Sequence, residues 1–146
     1  MEERIRARGH SNVTARHGST FEVTTDDYLT PAGDCILAID ADRAPADFDP
    51  SFVEACQDET ARITVTIEAD GYEETVVGRG DPALTFACNG SAVGRTSDYV
   101  DDRTVVVEAD VAAVGFDREL VAALSDGAEA RVTFAVDEGS NGKTDG

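Results

Sequence analysis

Lysine is nearly absent from this chain: Lys143 is the only one, and every other base is an arginine. Bases of both kinds number 12 against 30 acids, which leaves a formal net charge of −18. A surface of that sign repels phosphate backbones, and phosphate-driven binding falls steeply with salt, so generic nucleic-acid binding is excluded. The cysteines Cys35, Cys56 and Cys88 are odd in number and show no CxxC spacing, which argues against both a disulfide framework and a zinc knuckle. No stretch approaches the 18 or more apolar residues of a membrane helix. The opening "MEERIRARGH" lacks the apolar segment of a signal peptide, so the expected location is the cytoplasm, with no membrane partner. No P-loop, HExxH motif or Ser-His-Asp ordering is present.

What remains is a foldable chain. Over 146 residues, 41% hydrophobic content and 29% charged content predict a packed globular body rather than disorder. That length suits one domain, expected over residues 1–137, followed by a polar, Gly-rich, flexible tail over 138–146. High net charge makes a compact state repel itself, and molar salt, with a Debye length of about 3 Å, screens that repulsion. The composition therefore points to a salt-rich haloarchaeal cytoplasm; the rival reading is an acidic mimic of nucleic acid.

The chain also repeats itself. "AIDADRAPADFDPSFVEA" from Ala38 is echoed by "VVEADVAAVGFDRELVAA" from Val106, with Asp42 falling on Asp110 and Val53 on Val121, an offset of 68 residues (110 − 42 and 121 − 53). One inserted residue later, "ARITVTIE" from Ala61 matches "ARVTFAVD" from Ala130. Weaker echoes pair "RGH" at Arg8 with "RGD" at Arg79, "TFEV" at Thr20 with "TFAC" at Thr85, and "TDDYL" at Thr25 with "TSDYV" at Thr96. Two duplicated strand-strand-strand-helix-strand halves, about 2–68 and 72–137, are expected. The fold class is α+β, mostly β, arranged as a β-barrel or a β-sandwich.

Local signals agree with that grammar. Asp49 and Asp117 stand where a helix N-cap carboxylate accepts orphan N–H groups, and Pro50 suits the first helical position. Phe48 with Val53, and Phe116 with Val121, have the spacing of a hydrophobic staple. Helices are expected over about 50–57 and 118–125. Asp70-Gly71 and Asn89-Gly90 each read as a hairpin turn. Asp42 and Asp110 suit turns that hydrogen-bond the backbone two residues ahead; alternatively, Asp40/Asp42 and Glu108/Asp110 form two equivalent cation sites.

One stretch departs from the acidic rule. Between Arg4 and Phe21 the chain carries four arginines, both histidines and no acid. Alternation puts Arg4, Arg6 and Arg8 on one strand face with Ile5 and Ala7 on the other. Arginine suits bidentate recognition of phosphate or carboxylate, although a basic edge strand that blunts aggregation accounts for the same pattern. His10 and His17 are seven residues apart, so a turn must bring them together before Asp34 or Cys35 can complete a metal or acid-base site. Otherwise they are surface or hydrogen-bonded histidines. His10 falls on Asp81 in the internal alignment and His17 has no counterpart, which marks both as candidates for a site rather than for the repeated scaffold.

The runs "GHSNVTARHGSTFEVT", "LTPAGDCI" and "RTSDYVDDRTVVVEADVAA" resemble an archaeal family of uncharacterised proteins, domain of unknown function 371, over roughly Glu3 to Val136. The resemblance implies a small archaeal single-domain protein, mostly β, with no assigned activity. It singles out His10, Asn12, His17, Thr20, Gly33, Asp34, Cys35, Arg103 and Thr104, and Ala38 departs from a usual glycine. Three functions stay open. The first is binding of an anionic nucleotide or metabolite through Arg8, Asn12, Arg16, Thr20, Arg95 and Arg103 beside the histidines. The second is an enzyme using His10, His17, Asp34 and Cys35 as acid-base groups, or His10, His17 and Asp34 as metal ligands. The third is a scaffold subunit without ligand. In the first two, His10, His17, Asp34 and at least one of Arg95 or Arg103 share a pocket.

Overall fold

The computed structural model describes residues 1–137; the segment expected to form a flexible tail, 138–146, lies outside the described residues. Eight strands and two helices follow in the order β1 Glu2–Arg8, β2 Thr20–Thr24, β3 Ile36–Ala38, α1 Pro50–Cys56, β4 Arg62–Ala69, β5 Tyr72–Arg79, β6 Ser91–Arg95, β7 Thr104–Val106, α2 Arg118–Ser125 and β8 Glu129–Asp137. A single 3-10 turn precedes each helix, at Pro45–Asp47 and at Ala113–Gly115.

The strands form two four-stranded sheets rather than a closed barrel. The first, in the order β1-β8-β4-β5, is antiparallel throughout. The second, β3-β2-β6-β7, has an antiparallel centre and a parallel strand at each edge. Isolated bridges, Arg8 to Ile39 and Arg79 to Val107, tie the edges of one sheet to those of the other. Alternation along β1, β4 and β8 sends every second residue inward, as a half-buried sheet requires. Ile5, Val65, Val132 and Phe134 of the first sheet share one core with Phe21, Val23, Leu37 and Val105 of the second. All six phenylalanines are buried.

The helices begin where the capping signals put them. Asp49 accepts the Ser51 N–H at 2.9 Å, and Asp117 accepts the Glu119 N–H at 2.8 Å. The Asp49 and Asp117 N–H groups donate in turn to Glu3 and Glu74, each at 2.8 Å. The Phe48 ring also packs edge-on against Phe52, with centroids 5.7 Å apart, and Val53 packs against the same core. The Asp70-Gly71 turn closes the β4–β5 hairpin with positive φ at both residues, but Asn89-Gly90 closes none and leads into β6, which pairs with β2. The echo of "TFEV" in "TFAC" carries no structure either. Thr20–Val23 lies in β2, whereas residues 85–88 precede β6.

Asp42 and Asp110 do bind backbone, but of distant edge strands. Asp42 Oδ1 accepts the Arg6 N–H and Asp110 Oδ1 accepts the Val77 N–H, both at 2.9 Å. Their neighbours Asp40 and Glu108 carry Arg8 and Arg79 instead. Each carboxylate is thereby committed to a different partner, and among the described residues no group of three or more His, Cys, Asp or Glu is placed to hold a metal. Gly9 and Gly80 end the edge strands of the first sheet against the helices. A Cβ on Gly9 would overlap the carbonyl oxygen of Leu124, and one on Gly80 that of Cys56, so only glycine allows the approach.

Candidate functional site

The outer face of the second sheet gathers most of the residues with chemistry. Thr20 and Glu22 alternate with the core residues Phe21 and Val23 along β2, and Thr20 lies directly opposite Arg95 of β6. The loops over residues 25–35 and 96–103 run past this face, so polar groups on it are buried: Arg95 is 9% exposed, Thr24 2% and Thr104 0%.

His17 enters the face from the preceding loop. Its Nδ1 accepts the N–H groups of Ser19 at 3.2 Å and Thr20 at 3.1 Å and lies 3.1 Å from the Thr20 hydroxyl. Those N–H donors fix Nδ1 as an acceptor, so the neutral ring carries its proton on Nε2. His10 is held likewise, its Nδ1 accepting the Asn12 N–H at 3.0 Å, while Asn12 Nδ2 donates to the Leu29 carbonyl at 2.7 Å. Both histidines therefore cap turns, at the two ends of the β1–β2 connection. Asp34 meets this region through its carbonyl oxygen, which accepts the N–H groups of Arg16 at 2.9 Å and His17 at 3.2 Å. The carboxylate makes no hydrogen bond to either imidazole among the described residues, where no group of three or more His, Cys, Asp or Glu is placed to hold a metal. The Nδ1 atoms of His10 and His17 are thus spent on their local turns, and neither imidazole is hydrogen-bonded to the Asp34 carboxylate.

Structure also supplies His17 with a counterpart. The Cys88 N–H donates to Asp102 as the His17 N–H does to Asp34, both at 3.2 Å, and Cys88 Sγ accepts the N–H groups of Gly90 and Ser91, each at 3.3 Å. Two chemically unlike side chains thus do the same turn-capping work. Cys35 donates to Glu22 Oε1 at 3.5 Å. Burial, and then the neighbouring Glu22 charge, push its thiol up to about 11, so it holds its proton and is no nucleophile at neutral pH.

The densest polar network centres on Asp101, a residue the sequence reading passed over. Arg95 donates from Nε to the Thr104 hydroxyl at 2.8 Å and from Nη2 to Asp101 Oδ2 at 3.0 Å, with its guanidinium carbon 4.9 Å from the Tyr99 ring centre. Arg103 binds the same Asp101 oxygen from Nη2 at 3.1 Å and, through its backbone N–H, the other oxygen at 3.0 Å. Thr104 donates to Asp101 at 3.1 Å. Burial alone would raise the Asp101 carboxyl, but the bonds from Arg103, Thr104 and Arg95 outweigh it and hold it at about 2. Asp101 was findable: applying the 68-residue offset puts it opposite Gly33, Arg103 opposite Cys35 and Thr104 opposite Ile36.

The remaining candidates are dispersed. Arg8 is paired with Asp40 at 3.1 Å, and the exposed Arg16 side chain has no partner among the described residues. Of the expected site residues, only Arg8 lines a described cavity, and His10, His17, Asp34, Arg95 and Arg103 line none of them. The second-sheet site is therefore a polar face beneath loops.

Comparison with known proteins returns sequence relationships without an activity. The family described as "Domain of unknown function (DUF371)" matches residues 5–137. An uncharacterised protein of Methanocaldococcus jannaschii, MJ0206, is 40% identical over 129 residues, covering 88% of this chain and 95% of that protein. No helix among the described residues is long and apolar enough to cross a membrane. The arrangement of strands, capped helices and polar network described above is accordingly that of a member of the family of domain of unknown function 371, to which this chain belongs.

Proposed function

We propose that the chain is a single, internally duplicated domain that binds a small anionic ligand on the loop-covered face of its second sheet. The observation that carries this reading is the difference between the halves at equivalent positions. Bridges, helix caps and carboxylate-to-backbone bonds recur in both halves, yet Arg95 corresponds to Thr24 (95 − 24 = 71), and Asp101, Arg103 and Thr104 to Gly33, Cys35 and Ile36 (an offset of 68, as 101 − 33). The first half acts as an internal control: it builds the same strands and turns with no buried arginine. The charged network is thus surplus to the fold, and surplus buried polarity belongs to function.

The chemistry suits an anion. Asp101 occupies one edge of each guanidinium and holds both in place, leaving Nη1 of Arg95 and of Arg103 without a hydrogen bond among the described residues. Arg103 is 47% exposed at its side chain and presents that edge to solvent. The Nε2–H of His17 is a further donor, so phosphate or carboxylate oxygens are the matching class, as in a nucleotide or acidic metabolite. An enzyme built on His10, His17 and Asp34 has less support, since both Nδ1 atoms are already engaged.

Within this reading the two sheets form a sandwich joined at its edges by the isolated bridges, and the chain works in a salt-rich cytoplasm. A melting temperature that did not rise with KCl would refute the salt reading. A thermal-shift screen of nucleotides and carboxylate metabolites tests the site. A stabilising ligand whose effect disappears in Arg103→Ala, with the ligand-free protein nearly unchanged, is the expected result. Undiminished stabilisation in that variant, or none by any member of the screen, sinks the proposal.

A further inference from the structure

A second feature lies on the opposite side of the molecule. On the outer face of the first sheet, Arg6 of β1 stands directly opposite Arg131 of β8, and Arg4 stands opposite Thr133 in the next row. Cβ atoms of directly opposed antiparallel residues are about 4.5–5.5 Å apart, and like charges there destabilise the pair. The neighbourhood does little to relieve it. Glu68 approaches Arg131 only to 3.9 Å, with both side chains well exposed, and Arg4 is taken by Glu2 on its own strand. The Arg6 side chain has no carboxylate partner among the described residues. In a chain of net charge −18, where acids outnumber bases 30 to 12, an arginine pair left facing one another is conspicuous.

The pair also borders a hollow. A groove of about 460 Å³ lies over them, lined by Arg4, Ile5, Arg6, Thr66, Arg131 and Thr133, with the Glu68 carboxylate at its Arg131 side. Arg6 also borders a second hollow of about 480 Å³, which Arg8 lines together with Asp40, Asp42 and Glu129. The fold does not require these bases. Shifted by the 71 residues that carry Arg8 to Arg79 and Gly9 to Gly80, Arg4 and Arg6 fall on Thr75 and Val77 of β5, which builds the other edge of the same sheet without charge there. Edge protection by charge is served by either edge equally, so it does not explain why only one carries the arginines.

We propose that this groove is a binding site for a phosphate-bearing small molecule, with the phosphoryl group seated between Arg6 and Arg131. Two guanidiniums and the Thr133 hydroxyl offer more donors than the two oxygens of a carboxylate can use, whereas a phosphate monoester or diphosphate matches them. The volume lies within the range of small-molecule sites. Binding there relieves the arginine repulsion, so the bare groove is the strained state and the loaded one is not.

Pyrophosphate is a direct probe, titrated calorimetrically into the full chain at ionic strength held constant with KCl. Saturable one-to-one binding is expected, weakened at least tenfold in Arg6→Ala and in Arg131→Ala. Arg62→Ala, an exposed arginine of β4 that does not line the groove, leaves it unchanged. Without ligand, Arg6→Ala melts no lower than the parent, because it removes a repulsion. The proposal is overturned by absence of saturable binding, by equal weakening in Arg62→Ala, or by an Arg6→Ala protein that melts lower and binds pyrophosphate as the parent does.

Discussion

Replacing Asp101 by alanine tests whether the network on the second sheet is a coupled unit. The change deletes the acceptor for Arg95 Nη2 and for the Arg103 side chain and backbone, and leaves Arg95 buried with only its Thr104 bond. Stranding one member of a fully buried ion pair costs about 3–5 kcal/mol. Asp101 is 27% exposed, so water partly replaces it, and about 2–3 kcal/mol is the expected loss. Arg95→Thr leaves a short polar side chain and, in the double variant, removes the stranded charge. The double variant should therefore lose no more than Asp101→Ala alone, a coupling of about 1–3 kcal/mol. Urea unfolding at fixed KCl measures all four corners of the cycle. Strict additivity would refute the reasoning, since independent sites add and a charge pair does not.

The same carboxylate sets a pH window. Its folded value of about 2 lies below the ordinary 3.8, so its contribution is complete above about pH 4 and is lost as pH falls through about 2. At 1.36 kcal/mol per unit, and discounted for partial exposure, the loss is about 1–2 kcal/mol, and Asp101→Asn should flatten that part of the curve.

Gly9→Ala and Gly80→Ala each drive a methyl into a helix-end carbonyl and should cost similar amounts, about 2–3 kcal/mol, read as urea midpoints; an unchanged midpoint in either shows that the helix end yields. Cys35, half-buried with its thiol near 11, should alkylate slowly at pH 8 by site-resolved mass spectrometry, and Glu22→Gln should speed it by removing the charge that raises it. Labelling of Cys35 at the rate of the unfolded chain contradicts the burial assigned to it.

Much of the secondary structure was legible in the sequence because it rests on interactions a few residues long. Asp49 reaches Ser51 and Asp117 reaches Glu119, so the caps mark helix starts without knowledge of the rest, and the helices run over 50–56 and 118–125. The Asp70-Gly71 hairpin is equally local, as is the alternation of β1 that buries Ile5 and Ala7 and turns Arg4 and Arg6 outward. Asn89-Gly90 has the same local signal and no hairpin, since β6 takes its partner from β2, nearly seventy residues away by sequence.

What only the tertiary structure decided is where non-local partners meet. Strand order β1-β8-β4-β5 is set by which apolar faces can share one core, a property of the whole chain. That order places Arg6 against Arg131 and Asp42 against the Arg6 backbone. For the histidines the outcome is the reverse: the nearest N–H groups claim Nδ1 before any distant residue can. Residue type alone shows which groups can donate and accept. Which donor reaches a given acceptor first depends on chain geometry, and that is why His17 caps a turn while Asp101 gathers two arginines.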